Sequence, residues 1–142
     1  MANVSTSINF TDNTKAIKRK IKEAMESGML DVTLDMKRVA SESAPHKTGF
    51  LERNAHYEVT SNSNVIKGSV GFSAVNNGFN YAEWTHNENY NLGEKSAMKQ
   101  GGRSAFGGGT VPVGKDYLAN ALKMNEQGYL RHLQEKYNEA VR

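Results

Sequence analysis

Residues 15–45, KAIKRKIKEAMESGMLDVTLDMKRVASESAP, decide the fold of this chain. Apolar side chains recur in this stretch at steps of three and four residues, which is the period of one face of an α-helix. Their positions are Ile17, Ile21, Met25, Met29, Val32, Met36 and Val39. The pattern predicts an amphipathic helix that starts after the N-cap residues 11–14 and ends before Pro45, because the residue preceding a proline avoids helical angles. Such a helix of about 30 residues would be about 45 Å long, and Gly28 is expected to bend it.

Two stretches after this helix alternate between apolar and polar residues, as strands do. They cover residues 53–61 and 65–74, and the polar turn between them predicts a β-hairpin. Residues 79–86 predict either a third strand or an aromatic-anchored turn. Residues 111–113 predict a short edge strand.

A second helix is predicted at the C-terminal end of the sequence. Asp116 is its candidate N-cap, and Gly128 is expected to kink it or to divide it into two short helices. Its apolar positions near helical spacing are Leu118, Leu122, Tyr129, Leu133 and Tyr137. Residues 1–142 are therefore expected to form a single α+β domain, with a long N-terminal helix and a C-terminal helix packed on a small, mostly antiparallel β-sheet.

The composition is polar for a compact monomer, with a mean hydropathy of -0.66, so the chain is expected to borrow part of its core from neighbours or to carry long wet loops. Residues 1–12 have the composition of a flexible arm, and no signal peptide or membrane span is expected. Residues 87–110 form a long Gly-rich loop that is expected to order against a neighbouring subunit. Deletion of residues 95–109 within it is expected to leave the isolated fold intact but to block particle joining.

The sequence offers no constellation of residues typical of an enzyme. It has no cysteine, which excludes thiolate chemistry. Its histidines lack the spacing of a helical zinc site, and Glu83 with His86 is one weak pair. The glycines of 101–109 are not followed by the Lys-Ser or Lys-Thr of a phosphate-binding loop, since Asp116 follows Gly114-Lys115. We therefore expect no catalytic, metal-binding or cofactor-binding residues.

Basic residues concentrate at the start of the first helix, where positive charge opposes the helix dipole. They are Lys15, Lys18, Arg19, Lys20 and Lys22. Such a cluster is typical either of a surface that binds DNA phosphates or an acidic partner, or of a solvated face. Lys95, Lys99 and Arg103 add weaker positive charge to the long loop. These eight residues are the candidates for a subunit-interface or DNA-facing surface.

Residues 44–51 read APHKTGFL, and here the sequence resembles the head–tail joining or tail-completion family of tailed bacteriophages, which includes minor capsid and neck proteins. A long amphipathic helix running into Ala-Pro-x-x-Thr-Gly-x-Leu is the first similarity. The strand at 70–72 followed by YAEWTH at 81–86 is the second, and KDYLANA at 115–121 is the third. The resemblance covers roughly residues 15–140, with a longer and more Gly-rich 87–110 loop than is usual.

The residues that carry the resemblance also have physical roles as fold landmarks. Pro45 stops the helix, Gly49 can take a backbone angle that other residues avoid, and Thr48 can cap the turn. The full set is Pro45, Thr48, Gly49, Leu51, Tyr81, Trp84, Tyr117 and Leu118.

The resemblance implies a structural subunit of the virion neck, assembled in the host cytoplasm and without cofactor. Such subunits form a homo-oligomeric ring, with sixfold symmetry favoured and twelvefold possible, between connector and tail proteins. Double-stranded DNA passes through the ring without sequence-specific contact, and no membrane is involved. The alternatives are a small basic DNA-binding module, another tail component such as a tail terminator, or an unrecognised hydrolase.

Overall fold

The computed structural model describes residues 4–11, 18–46, 49–76 and 79–142. Within these residues the chain forms five helices and seven strands. In chain order they are β1 (Val4–Thr11), α1 (Arg19–Ser43), α2 (Phe50–Arg53), β2 (Ala55–Ser61), β3 (Val65–Phe72), β4 (Val75–Asn76), β5 (Phe79–Asn80), α3 (Tyr81–Asn87), α4 (Glu94–Ala97), β6 (Gly102–Arg103), β7 (Thr110–Val111) and α5 (Tyr117–Val141).

The fold is α+β, as predicted, with two layers. Strands β1, β3 and β2 lie side by side in that order, and both outer strands run antiparallel to β3. Helix α1 packs on β2 and β3, while α5 packs on α1 and β1. The predicted hairpin is confirmed as β2 and β3. Strands β4–β5 and β6–β7 form two separate, very short ribbons.

The apolar stripe of the sequence is the buried face of α1. Met29, Met36 and Val39 are fully buried at the centre of the core. The helix ends at Ser43, two residues before Pro45, as predicted. It begins at Arg19 and has 25 residues, fewer than expected, and most of the predicted N-cap run lies outside the described residues.

Gly28 does not interrupt α1 and instead marks its close approach to α5. A Cβ atom at this position would lie 3.0 Å from Cγ of Lys136 and 3.2 Å from Cδ2 of Leu133. Gly28 therefore lies against flexible side chains of α5 and not against its backbone.

The prediction of a flexible arm at residues 1–12 is wrong for the part that is described. Residues 4–11 form strand β1, in continuous register with β3 from Val4 opposite Phe72 to Thr11 opposite Val65. Every second side chain of β1 faces the helices, and Ile8 and Phe10 pack against the core. The polar composition that suggested an arm comes from the side chains on the opposite face.

Residues 79–86 form a third strand only at their first two positions. Phe79–Asn80 pairs with Val75–Asn76, and α3 then begins. The side chain of Asn80 accepts a hydrogen bond from the Glu83 N–H at 3.2 Å and caps the helix. Asparagine is a preferred N-cap residue, but the aromatic residues beside Asn80 favoured the prediction of a strand or an aromatic-anchored turn.

The segment 87–110 is irregular for most of its length, but it is bonded to α1 of its own chain. The Ser104 hydroxyl and the Ala105 N–H both donate to Asp35, and the Lys99 ammonium donates to the Ser41 carbonyl. These bonds hold the segment to α1 of its own chain, whereas the sequence led us to expect a flexible loop that orders against a neighbour. The short strand predicted at 111–113 is β7, one residue earlier.

Helix α5 runs through Gly128 without a break, so the predicted division into two short helices is wrong. A Cβ atom at Gly128 would lie 2.2 Å from the carbonyl oxygen of Phe106. The glycine is needed because the segment before β7 crosses the helix at this point.

We predict that Gly128→Ala destabilises the protein by about 1–3 kcal/mol in urea denaturation, because backbone must move to relieve the clash. Helix propensity alone would favour alanine by about 1 kcal/mol. Gly28→Ala is the matched control, and it should be close to neutral because flexible side chains can yield there. A stabilised Gly128→Ala variant would contradict the packing described.

Candidate functional site

A carboxylate is buried between the two long helices. Asp35 on α1 exposes 6% of its side chain. Its Oδ2 atom accepts hydrogen bonds from the Ser104 hydroxyl at 2.6 Å and the Tyr129 hydroxyl at 2.7 Å. Its Oδ1 atom accepts from the Ala105 N–H and from Nη2 of Arg38, both at 3.0 Å. A buried charge costs several kcal/mol unless it is paired and hydrogen-bonded, so this site holds α1, α5 and the Gly-rich segment in one arrangement.

The charges around Asp35 do not suit proton transfer near neutral pH. Burial raises the pKa of Tyr129, and its hydrogen bond to Asp35 raises it further, so the hydroxyl stays a donor. Burial lowers the pKa of Arg38, but its bonds to Asp35 and Glu42 outweigh that effect and raise it. A general acid or base needs a pKa near the working pH. Asp35 therefore has a structural role, because it joins α1 to α5 and to the Gly-rich segment.

A second polar cluster lies where α1 ends. The Glu52 carboxylate accepts from the Lys99 ammonium at 2.9 Å and lies 2.9 Å from Nδ1 of His46. The Ser96 hydroxyl donates to the His46 carbonyl and accepts from the His46 N–H, at 3.0 and 2.7 Å. These bonds join α4 to the turn that follows α1.

Lys99 is a cap for α1 and does not belong to an exposed basic surface. Its ammonium donates to the carbonyls of Ser41 and Ala44 at the end of the helix, and the Ser41 carbonyl also accepts the Ala44 N–H. A cation at a helix C-terminus also interacts favourably with the helix dipole. The prediction that Lys99 faces a subunit or DNA is therefore wrong.

His86 caps the start of α5. Its Nε2 atom accepts from the Ala119 N–H at 3.2 Å, and its ring packs edge-on against Tyr117. Asp116 occupies the N-cap position but makes no capping bond with its side chain, and its φ is 61°. The cap predicted at Asp116 is thus supplied by a histidine from α3.

An open cavity of about 600 Å³ lies between α3, the end of α1 and the segment before α4. Its walls include Pro45, Tyr81, Trp84, Tyr90 and Leu92. Trp84 and Tyr90 stack with ring centroids 5.0 Å apart, and burial raises the pKa of Tyr90 to about 12. The Tyr90 hydroxyl donates to the Thr85 carbonyl. This cleft is mainly apolar and suits contact with an apolar side chain.

Metal ligands do not converge in the described part of the chain: no group of three or more His, Cys, Asp or Glu residues is placed to hold an ion. Among the same residues, no helix is both long enough and apolar enough to cross a membrane.

The structure separates the predicted basic residues. Lys18, Arg19 and Lys20 are exposed at the start of α1, and Lys22 is partly exposed. Lys95 and Arg103 are exposed near the opposite end of this helix, which spans about 37 Å at 1.5 Å per residue. Lys15 lies outside the described residues. The candidates that the structure describes therefore do not form one surface.

The described fold landmarks occupy three regions. Pro45 and Leu51 are buried around the turn after α1, where Gly49 has a φ of 77°, a left-handed angle that favours glycine. Tyr117 and Leu118 are buried at the start of α5. Tyr81 is partly buried and Trp84 is 40% exposed on α3. Thr48 lies outside the described residues.

Asp35 and β1 were the two features that sequence reasoning missed. Asp35 is an acidic residue between Leu34 and Met36, on the apolar side of the predicted helix, which is a signal for a buried partner. Residues 4–11 read VSTSINFT and alternate in the manner of a strand.

We predict that Asp35→Ala destabilises the protein by about 2–4 kcal/mol, because the substitution leaves buried donors on Ser104 and Tyr129 without an acceptor. Asp35→Asn keeps one carbonyl acceptor of the same shape and should cost about half as much. The free energy of unfolding is measured in urea. Equal, small losses for both variants would contradict this structural role of Asp35.

Glu52 gives a pH-dependent prediction. Burial raises its pKa, but hydrogen bonds from Lys99 and His46 outweigh burial and lower it below the ordinary 4.5. A carboxyl group whose pKa is lowered by folding stabilises the protein above its unfolded pKa, and this is lost as the pH falls through the folded pKa. The stability difference between the wild type and Glu52→Gln should therefore be largest at neutral pH and shrink below pH 4.5.

Urea denaturation at neutral and acid pH measures this difference, with Glu58→Gln on an exposed strand position as the matched control. A difference for Glu52→Gln that does not change with pH would contradict the assigned interactions.

No protein-family model, curated protein or solved structure matches this chain. The function has to be inferred from the residues themselves, above all from the sheet and the exposed apolar side chains.

Proposed function

We propose that this chain is a structural subunit of the neck of a tailed bacteriophage. It would form a ring that joins the capsid-side connector to the tail and surrounds the channel for double-stranded DNA. The ring would be assembled in the host cytoplasm and remain in the virion. The subunit would act through its shape and interfaces and carry no catalytic residues.

The observation that carries this proposal is the difference between the two faces of the sheet. The face under α1 and α5 bears the buried side chains of Ile66, Val70 and Phe72. The opposite face is polar apart from Val65 at its end. Its side chains are Ser5, Ser7, Asn9, Thr11, His56, Glu58, Thr60, Lys67 and Ser69.

A polar sheet face of this kind suits the wall of a channel for DNA. Its small hydroxyl and amide groups are hydrated, and Glu58 lies on the same face as Lys67, so the face is not strongly positive. Tight phosphate binding requires many lysines and arginines, which this face lacks. DNA would therefore pass along it without being held.

Exposed apolar side chains support an assembled state. Leu30, Leu34, Phe79, Leu130 and Val141 are each at least 40% exposed, although the chain is polar overall. Single exposed apolar residues are ordinary, but sets that share a side of a molecule mark interaction surfaces. Phe79 and Trp84 on the α3 end suit contact with a neighbouring connector or tail protein, because aromatic residues are enriched in interfaces.

The exposed cations at the start of α1 favour the alternative of a small DNA-binding module. Lys18 and Lys20 are exposed there, whereas Arg19 is paired with Glu23 at 3.0 Å. Glu23 and Glu26 follow within two turns and reduce the positive charge. Three or four cations on one helix end suit weak, non-specific contact, so the neck subunit remains the preferred function.

The proposal predicts that a phage lacking this protein produces DNA-filled heads and complete tails that do not join. Electron microscopy of the lysate measures the fraction of joined particles, and expression of the wild-type chain from a plasmid should restore it. A chain with Asp35→Ala is the matched control, because it should restore joining poorly through loss of fold.

Normally joined particles without the protein would contradict the proposal. If the isolated chain then bound duplex DNA with an affinity that falls steeply with salt, the DNA-binding alternative would replace it. Heads with closed necks but abnormal tail ends would indicate the tail terminator.

A further inference from the structure

We infer that the ring closes through its sheet, with β1 of one copy pairing in parallel with β2 of the next. This inference rests on the proposed function and names the contact by which identical copies surround the channel. It follows from the two edges of the sheet, the direction of the strands, and the apolar side chains beside each edge.

Neither edge strand of the sheet has a second strand beside it in the described residues. In the described ranges, β1 and β2 each pair with β3 and with no other strand. They have similar lengths, eight and seven residues, and neither contains proline. Strand β1 also contains no charged residue. Natural monomers usually protect an edge with charges, proline or a covering element. Strand β1 contains neither a charged residue nor a proline.

The direction of the strands decides how copies can meet. Because β1 and β2 are both antiparallel to β3, they run parallel to each other. Rotation about a ring axis that follows the strands preserves strand direction, so β2 of one copy would meet β1 of the next in parallel. A two-fold dimer would instead pair one strand with its own copy, antiparallel. A ring would therefore show parallel pairs of β1 with β2 between copies, whereas a two-fold dimer would show antiparallel pairs of β1 with β1 or of β2 with β2.

Each edge strand contacts a helix that carries exposed apolar side chains: α1 packs on β2, and α5 packs on β1. Tyr57 on β2 is 44% exposed and lies under the ammonium of Lys37, on the side of α1 that also carries Leu30 and Leu34. Near β1, helix α5 carries Leu130, Tyr137 and Val141 on one exposed face, at spacings of seven and four residues. Junctions between copies would bring these two sets together and remove apolar surface from water.

The dimensions favour six copies. Six sheets would give a barrel of about 18 strands, which is in the size range that leaves an aqueous channel. With strands about 4.8 Å apart and tilted by about 40°, its backbone diameter is about 35 Å. Side chains of the polar face reduce this by roughly 10 Å, which leaves room for a DNA duplex. Twelve copies would double the diameter and leave the DNA without a close wall.

The sequence provides a clean background for testing this contact, because it contains no cysteine. Ser7 and Glu58 lie opposite the same residue, Ser69, from its two sides. Within one subunit they are about 9–10 Å apart, too far for a disulfide. A disulfide between Ser7→Cys and Glu58→Cys can therefore form only between copies.

The first experiment combines one cysteine on β1, at Ser5, Ser7 or Asn9, with one on β2, at Glu58 or Thr60, in the full-length chain. Mild oxidation should give a ladder of crosslinked species that ends at a closed ring of six. Moving the β1 cysteine two residues toward the C-terminus should move its best partner on β2 two residues in the same direction. Each single-cysteine variant is the matched control and should remain mostly monomeric.

Crosslinking of single-cysteine variants to dimers, or a partner that moves in the opposite direction, would overturn the inference in favour of a two-fold dimer. Absence of any crosslink across the panel would also overturn it.

The second experiment uses the outward N–H of Tyr57. The Asn62 N–H donates to the Val65 carbonyl at 2.9 Å, and donors alternate along an antiparallel pair, so the Tyr57 N–H points away from β3. Proline is tolerated in an edge strand at such a position but cannot donate to a new strand. Tyr57→Pro should lower ring formation in native mass spectrometry at least tenfold relative to Tyr57→Ala, which keeps the N–H.

Equal ring formation by the two variants would contradict strand pairing through β2. The outcomes also separate this inference from the proposed function. Neck rings in particles that lack the β1–β2 crosslink would overturn the strand junction alone. A crosslinked ring of six from a protein whose loss leaves particles joined would overturn the neck function alone.

Discussion

The fold depends on the need to satisfy one buried carboxylate. Asp35 lies in the interior of α1, where an unpaired charge would cost several kcal/mol. Its partners Ser104 and Tyr129 come from parts of the chain that are far apart in sequence. The apolar stripe of α1 would accept several packing arrangements with α5, whereas the carboxylate requires donors at defined places. It therefore selects one arrangement of the helices and fixes the Gly-rich segment across them.

The sequence predicted the parts of the fold that repeat with a regular period. The stripe through Met29 and Met36 predicted α1, and the alternation on either side of the polar turn predicted the hairpin. The parts that it did not predict depend on contacts between distant residues. Gly128 is a poor helix former, yet α5 continues through it, and the carbonyl of Phe106 lies where a Cβ atom would be. A lysine in a polar, Gly-rich segment is expected to be exposed, yet the ammonium of Lys99 donates to carbonyls at the end of α1.

The same distinction between local patterns and distant contacts applies to the candidate assembly surfaces. The basic start of α1 was visible as a cluster of like charges, but composition did not reveal the open edges or the polar face of the sheet. Those features exist only after β1 joins β3, which pairs residues more than 50 positions apart. The low share of apolar residues in the sequence has a corresponding explanation. The helices cover only one face of the sheet, and the other face is polar and exposed.

Because β1 precedes its partner β3 by more than 50 residues, the order of synthesis affects the order in which the sheet is completed. The β2–β3 hairpin joins residues close in sequence and can form early, because local contacts carry a small loop-closure cost. Strand β1 can add only after residue 72 has been synthesised and β3 is in place. The β2 side of the sheet thus matures first and the β1 side last. The sheet therefore cannot have both of its edges in place until residue 72 has left the ribosome.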